Sequence, residues 1–271
     1  MPDPSGRRTV RRIVTALPAA ADVTSLVRLA AHVAGELDAQ VAAVLVHNEA
    51  LVRLASLPVT RHLIAATGTA ESLTPQTLRL AMATSGQRLR ESLDSILGAA
   101  HVHWTLHTLA DEPEAMLPVA LQAEDLLLIS VEARIVEAWF SADLSSHPAV
   151  AAFAIAAQGN ATRDVVAVHD GTDAGWRAIE DAILIARSQS GCCHVVIPAL
   201  VPPEMRRRIE AALVDAGLPC RSSMVATGDL ESLIPALRTS GAGILVLPTA
   251  ILRQPGLVQM LYQLASEFRG T

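Results

Sequence analysis

The segment His169-Asp170-Gly171-Thr172-Asp173, running into Ala174-Gly175-Trp176-Arg177-Ala178, places a carboxylate and a glycine between an apolar run and a helical pattern. Asp-Gly turns a chain, and a hydroxyl or carboxylate just beyond it caps a helix, so Thr172 or Asp173 can serve here with no ligand at all. The same geometry can bind: Asp170, Gly171 and Thr172 could face a small molecule together with Pro248 and Thr249, while Arg253, five residues past Pro248, could supply positive charge. The histidines raise a metal question, because His101, His103 and His107 share parity on a candidate strand. At a rise of about 3.3 Å per residue, His101 and His103 would lie roughly 7 Å apart at Cα, too far to share an ion unless a carboxylate joins them. That strand has no acidic residue, so a solvated strand approach and no metal site are expected. In Cys192-Cys193-His194, alternation along a strand predicts one cysteine in the core and one near the surface. No basic group is adjacent in sequence to activate either thiol.

Other chemistries lack an anchor. There is no G-x-S-x-G elbow, no P-loop and no H-E-x-x-H, and all 21 basic residues are Arg, so no lysine can form a Schiff base. The sequence therefore predicts a protein that is not an enzyme. Three cysteines with no C-x-x-C pair exclude a disulfide framework and a zinc spacing, and favour a reducing, cytoplasmic setting. A net charge of −6 with Arg scattered along the chain argues against nucleic acid. Arg7, Arg8, Arg11 and Arg12 ahead of Ile13 to Ala21 have the layout of a short signal segment, but Pro18 interrupts it. The longest weakly charged stretch, Leu144 to Thr162, is broken by Pro148, Gly159 and Asn160, so no membrane span is expected.

The elements that must position Asp170 emerge from an internal repeat. With 271 residues, 51% apolar and only 3% aromatic, the chain can build one large or two small cores, mainly of Ala, Val, Leu and Ile. Arg11 to Leu17 has the same layout as Arg163 to His169, an offset of 152 that also pairs Ala30 with Ala182, Ala34 with Ala186 and Val44 with Val196. Further on, Glu114 matches Glu231, Pro118 matches Pro235 and Leu128 matches Leu245 at an offset of 117, so the first copy is about 35 residues longer. The extra length lies in 51–100, where Leu78, Met82, Leu89, Leu93 and Leu97 predict an amphipathic helix from Gln76 to Leu97.

Short apolar runs place four strands in each copy: Ile13 to Leu17, Val41 to His47, Trp104 to Leu109 and Leu126 to Ser130, then Val165 to His169, His194 to Pro198, Arg221 to Val225 and Gly243 to Leu247. Strands alternating with helices predict an α/β fold of two tandem doubly wound parallel sheets, Rossmann-like in layout. The predicted domains are 1–158 and 163–271, with Gly159 to Thr162 as linker. Ala149 to Ile155 could add a fifth strand to the first copy, whereas the second ends in a helix, Leu257 to Phe268, whose apolar residues suit either core or interface.

Val165 to Ala178 resembles the opening of a universal stress protein domain, where a first strand ends in Asp-Gly-Ser or Asp-Gly-Thr before an Ala-rich helix. Residues 10–268 as a whole resemble a tandem universal stress protein. The resemblance implies an adenosine contact at Asp170 and a G-x2-G-x9-G-[ST] phosphate loop after each fourth strand. The matching positions here are Pro248, Ile251, Leu261 and Tyr262 in the second copy, and Ser130, Ala133, Asp143 and Leu144 in the first. Pro248 has no N–H, Ile251 cannot take glycine's left-handed backbone cheaply, and Asp143 would repel phosphate. The first copy has Leu17-Pro18-Ala19-Ala20-Ala21 where the second has its Asp-Gly turn. The expectation is therefore a non-catalytic, cofactor-free protein acting in stress response or regulation through an unidentified protein partner, as a homodimer or pseudo-dimeric monomer. The alternative is a small-molecule or adenine-nucleotide sensor built around Asp170.

Overall fold

The computed structural model describes residues 10–18, 23–46, 49–57, 61–64, 69–109, 122, 125–130, 150–154, 164–248, 251, 254 and 256–269. All eight strands read from the repeat are present within one or two residues at each end. The first half runs β1 (Arg12–Pro18), α1 (Thr24–Leu37), β2 (Gln40–Val46), α2 (Glu49–Ala55), β3 (Arg61–Ile64), β4 (Thr69–Ser72), α3 (Pro75–Ala99), β5 (Trp104–Leu109), β6 (Asp125–Ser130) and β7 (Val150–Ala154). The second runs β8 (Val165–Val168), α4 (Asp173–Gln189), β9 (Cys193–Pro198), α5 (Pro203–Asp215), β10 (Cys220–Val225), α6 (Leu230–Ser240), β11 (Ile244–Pro248) and α7 (Leu257–Arg269).

The two parallel four-strand sets are β5-β2-β1-β6 and β10-β9-β8-β11, each doubly wound as expected. What the repeat does not reveal is how they join. The ambiguous run after Pro148 is a strand, β7, which pairs in parallel with β6 through Leu128↔Ala152 and antiparallel with β11 through Val246↔Ala152. One nine-stranded sheet results, ordered β10-β9-β8-β11-β7-β6-β1-β2-β5. Because β7 reverses the sense, the carboxyl ends of the first half's strands and those of the second lie at opposite ends of the sheet.

The apolar strands are covered on both faces, which their unbroken runs require. One face packs Ile13, Leu17, Val41, Ala167, Val195 and Ile197 beneath α1, α3, α4 and α5. The other packs Val14, Val166, Val168, Leu245 and Leu247 with Leu233 and Leu237 of α6 and Leu257, Met260, Leu261 and Leu264 of α7. The final helix is thus core-facing among its described side chains. The repeat-related helices α1 and α4 meet directly: both bury small residues, Ala30, Ala31 and Ala34 in one and Ala178, Ala182 and Ala186 in the other, and His32 Nε2 hydrogen-bonds the Ser188 carbonyl between them.

One polar contact fixes register inside the sheet. Arg12 and Asp125 are partners across β1 and β6, and the guanidinium donates from Nε at 3.0 Å and from NH2 at 2.6 Å to a carboxylate that is 1% exposed. The backbone N–H of Gln122 also donates to that carboxylate, at 2.6 Å. The hydrogen bond to Asp125 raises the Arg12 pKa, so this cation stays charged.

The inserted segment differs in detail from its sequence reading. Its helix is three residues longer than expected, and the residues before it form α2 and an antiparallel β3–β4 hairpin that no periodicity announces. Ala152→Pro tests the joint. Its backbone is flanked by partners on both sides, so the ring must break one ladder and orphan a carbonyl, at a cost of at least about 1–3 kcal/mol. Urea unfolding should show that loss.

Candidate functional site

The turn after β8 is built by its own side chains. Thr172 caps α4, its Oγ1 accepting from Gly175 N at 3.2 Å, and the backbone at Gly171 is left-handed, φ +89°. Asp170 Oδ1 accepts from Thr172 N at 3.0 Å and from Thr172 Oγ1 at 2.5 Å. Gly175 is required by this packing, since a Cβ there would sit 2.8 Å from Asp170 N and nearer still to its carboxylate.

Directly beneath is His169, fully buried, whose Nδ1 accepts from Gly171 N at 2.8 Å. That bond assigns the proton to Nε2, which is buried without a hydrogen-bond partner among the described residues. Burial pushes the His169 pKa down, against a smaller upward pull from Asp170. His169 is therefore a neutral, structural imidazole that stiffens the turn.

The turn opens onto a cleft of about 500 Å³ lined by Asp170, Gly171, Pro198, Leu200, Val201, Pro202, Gly228, Ile251 and Gln254. These residues follow the carboxyl ends of β8, β9, β10 and β11, the switch-point position at which open α/β sheets bind ligands. Among the described residues, Asp170 is the only charged one of the lining. The nearby cation Arg206 is spent on the loop itself, donating from Nε to the Val201 carbonyl at 2.8 Å and from NH2 to the Ala199 carbonyl. Gln254 Nε2 donates to the Gly228 carbonyl at 3.1 Å, which holds the β11 side of the cleft to the β10 side.

Four backbone donors of the turn and cleft are also committed. Gly171 N goes to His169, Thr172 N to Asp170, Val201 N to the Pro198 carbonyl and Gln254 N to the Ile251 carbonyl, while Pro198 and Pro202 have none. A phosphate needs converging N–H groups or cations. Among the described residues no cation lines this cleft.

Of the residues singled out from sequence, Asp170 and Gly171 line the cleft, and Thr172 acts through Asp170 and the helix cap. Pro248 is the last residue of β11, paired with Val150, and is not part of the lining. Thr249 and Arg253 lie outside the described residues, as do Ala133, Asp143 and Leu144 of the first copy. Sequence reasoning missed Pro198, Leu200, Val201, Pro202, Gly228 and Gln254. For Pro198 to Pro202 and Gly228 the signal is the rule already used for the first and fourth strands, applied also to the second and third, while Gln254 lies a little further along the loop after the fourth.

The histidine cluster does not form as drawn. His101 sits in a left-handed turn, φ +56°, ahead of β5, so it does not share the strand with His107. His107 Nε2 instead hydrogen-bonds Thr105 Oγ1 at 3.2 Å. No group of three potential metal ligands exists among the described residues. Cys193 is buried and Cys192 half-buried, as alternation predicts.

Comparison with solved structures places this architecture. A universal stress protein from Archaeoglobus fulgidus DSM 4304 superimposes with a TM-score of 0.53 at 12% sequence identity, over 86% of this chain and 95% of that one. A chain from Pseudomonas aeruginosa UCBPP-PA14, described as of the same family, gives a TM-score of 0.47 at 14% identity, over 96% of this chain and 99% of its own. No protein-family model and no curated protein matches the sequence. The fold is the tandem universal stress protein-like α/β arrangement. No described helix is long and apolar enough to cross a membrane.

Two outcomes test the turn. Thr172→Ala removes the cap and should cost about 1 kcal/mol in urea unfolding. Burial also lowers the pKa of His194, aided by Arg221, so two histidines take up a proton more readily in the unfolded chain. Stability is complete above the unfolded value of about 6.5 and falls as pH drops below it toward the folded values. His169→Gln should flatten that decline between about pH 7 and pH 5.

Proposed function

We propose that this is a non-catalytic binding protein of the universal stress type, whose second half takes a small phosphate-free molecule in the Asp170 cleft. The observation that carries this reading is the commitment of the turn's N–H groups at Gly171 and Thr172 to internal bonds, beside a carboxylate that no cation among the described lining residues opposes. Asp170 Oδ1 is engaged by Thr172, which leaves Oδ2 to accept from a hydroxyl or amino group. Pro198, Leu200, Val201, Pro202 and Ile251 offer an apolar wall for a flat or aliphatic body. Universal stress proteins place adenosine at the equivalent turn, so adenosine is the natural first probe and ATP the control. A stress or regulatory role follows from the resemblance and from the fold.

The test is to denature fresh protein, chromatograph the extract for small molecules, and titrate adenosine and ATP separately into protein freed of them. Adenosine is expected to bind, ATP to bind no tighter, and Asp170→Asn to weaken adenosine roughly 10-fold or more. ATP binding at least 10-fold tighter than adenosine would contradict the reading, and so would an adenosine isotherm indifferent to Asp170.

A second reading, capture of a protein partner, is favoured by α3. Only Leu89, Leu93 and Leu97 of its 25 residues are buried, all in the C-terminal half. The preceding turns leave Leu80 68% exposed, with Leu78 and Met82 half-buried nearby. A photo-crosslinker at position 80 should attach a partner in cells, and Leu80→Glu should abolish its recovery while leaving the urea midpoint unchanged. An undisturbed partner yield would remove this reading.

A further inference from the structure

The first residues of β9 and β10 bring two thiols together. Cys193 and Cys220 are direct register partners on neighbouring parallel strands. In-register side chains on parallel strands share a face, and both belong with the core packed under α4 and α5. Strand spacing of about 4.8 Å falls within the Cα separation of about 4.4–6.8 Å that disulfides span. Both cysteines are free. Among the described residues β10 is the outermost strand of the sheet, so its start can shift to close the bond.

We propose that Cys193 and Cys220 form a reversible thiol–disulfide site that staples the edge strand β10 to β9. The oxidant class is a peroxide. Cys220, half-buried and the more accessible of the two, attacks one peroxide oxygen as thiolate. An S–O bond forms, the O–O bond breaks, and the leaving hydroxide takes up a proton as water. The Cys193 sulfur then displaces the second oxygen from the Cys220 sulfenic acid, giving the S–S bond and a second water. Two thiols lose two electrons and two protons, and one peroxide is reduced to two waters.

The electrostatics set the pace. Burial pushes the Cys193 thiol up to about 12, with smaller contributions from Cys220 and Cys192. Cys220 is also raised by burial, an effect that the Cys193 N–H opposes. Both are thiols at neutral pH, so closure is slow there and accelerates as pH rises and the thiolate fraction grows.

Trypsin provides the readout, because cleavage after Arg187, Arg206, Arg208 and Arg221 puts Cys192 and Cys193 in one peptide and Cys220 in another. After hydrogen peroxide treatment of the full chain, the two peptides should be recovered joined, lighter by two hydrogens, and separated again by dithiothreitol. The link should persist in Cys192→Ser, vanish in Cys220→Ser, and form faster at alkaline pH. A vicinal Cys192–Cys193 bond, a link between two chains, a link lost in Cys192→Ser, or Cys220 over-oxidised without any link would each overturn the proposal.

Discussion

Strand β7 carries hydrogen bonds along both of its edges, to β6 on one side and to β11 on the other. A parallel sheet of four strands ends in an open ladder at its fourth strand, which is a template for unwanted pairing. Two repeated halves have two such edges, and one strand of five residues closes both. Because its senses differ on the two sides, it sets the halves in opposite directions, brings α1 and α4 together over the centre of the sheet, and sends the two sets of strand ends apart. Repeat symmetry is broken here as well as in the inserted segment, since the second copy contributes no strand of its own at this place among the described residues.

The site depends on that frame and on a local economy of hydrogen bonds. Elsewhere on this fold class, a turn rich in free N–H groups can close on an anion. Here Gly171 N is taken by a buried imidazole and Thr172 N by the neighbouring carboxylate, and two prolines at the β9 end contribute no donor. A rigid turn with one acidic acceptor results, backed by apolar side chains. To that surface Asp170 contributes a negative charge and a hydrogen-bond acceptor.

Much of the fold was legible in the sequence because buried parallel strands are continuous apolar runs. Val165 to Val168 and Leu126 to Ile129 can hardly be anything else, and the 152-residue offset carried one half's reading into the other. β7 was ambiguous for a physical reason: its Ala-rich run has no repeat partner, and a strand's sense comes from its neighbours, not from its own residues. The β3–β4 hairpin escaped because Arg61 to Ile64 and Thr69 to Ser72 are short, mixed in polarity and joined by no two-residue turn signal. At the site, Asp170, Gly171 and Thr172 announced a turn, and Thr172 proved to be the cap. The cleft's other walls come from loops as far apart as Pro198 and Gln254, which only the sheet order brings together. The short approach of Asp170 to Gly175 left no trace beyond a glycine inside a helix.

Native-state hydrogen exchange read by mass spectrometry bears most directly on the central role of β7. If one strand unites the two halves, the amides of β7 should exchange only by global opening, with the same free energy as those of β6 and β11 and the same dependence on denaturant. Fast exchange of Val150 to Ala154 while β1 and β8 stay protected would contradict this. It would mean that two separate sheets, each with its own open edge, carry the fold.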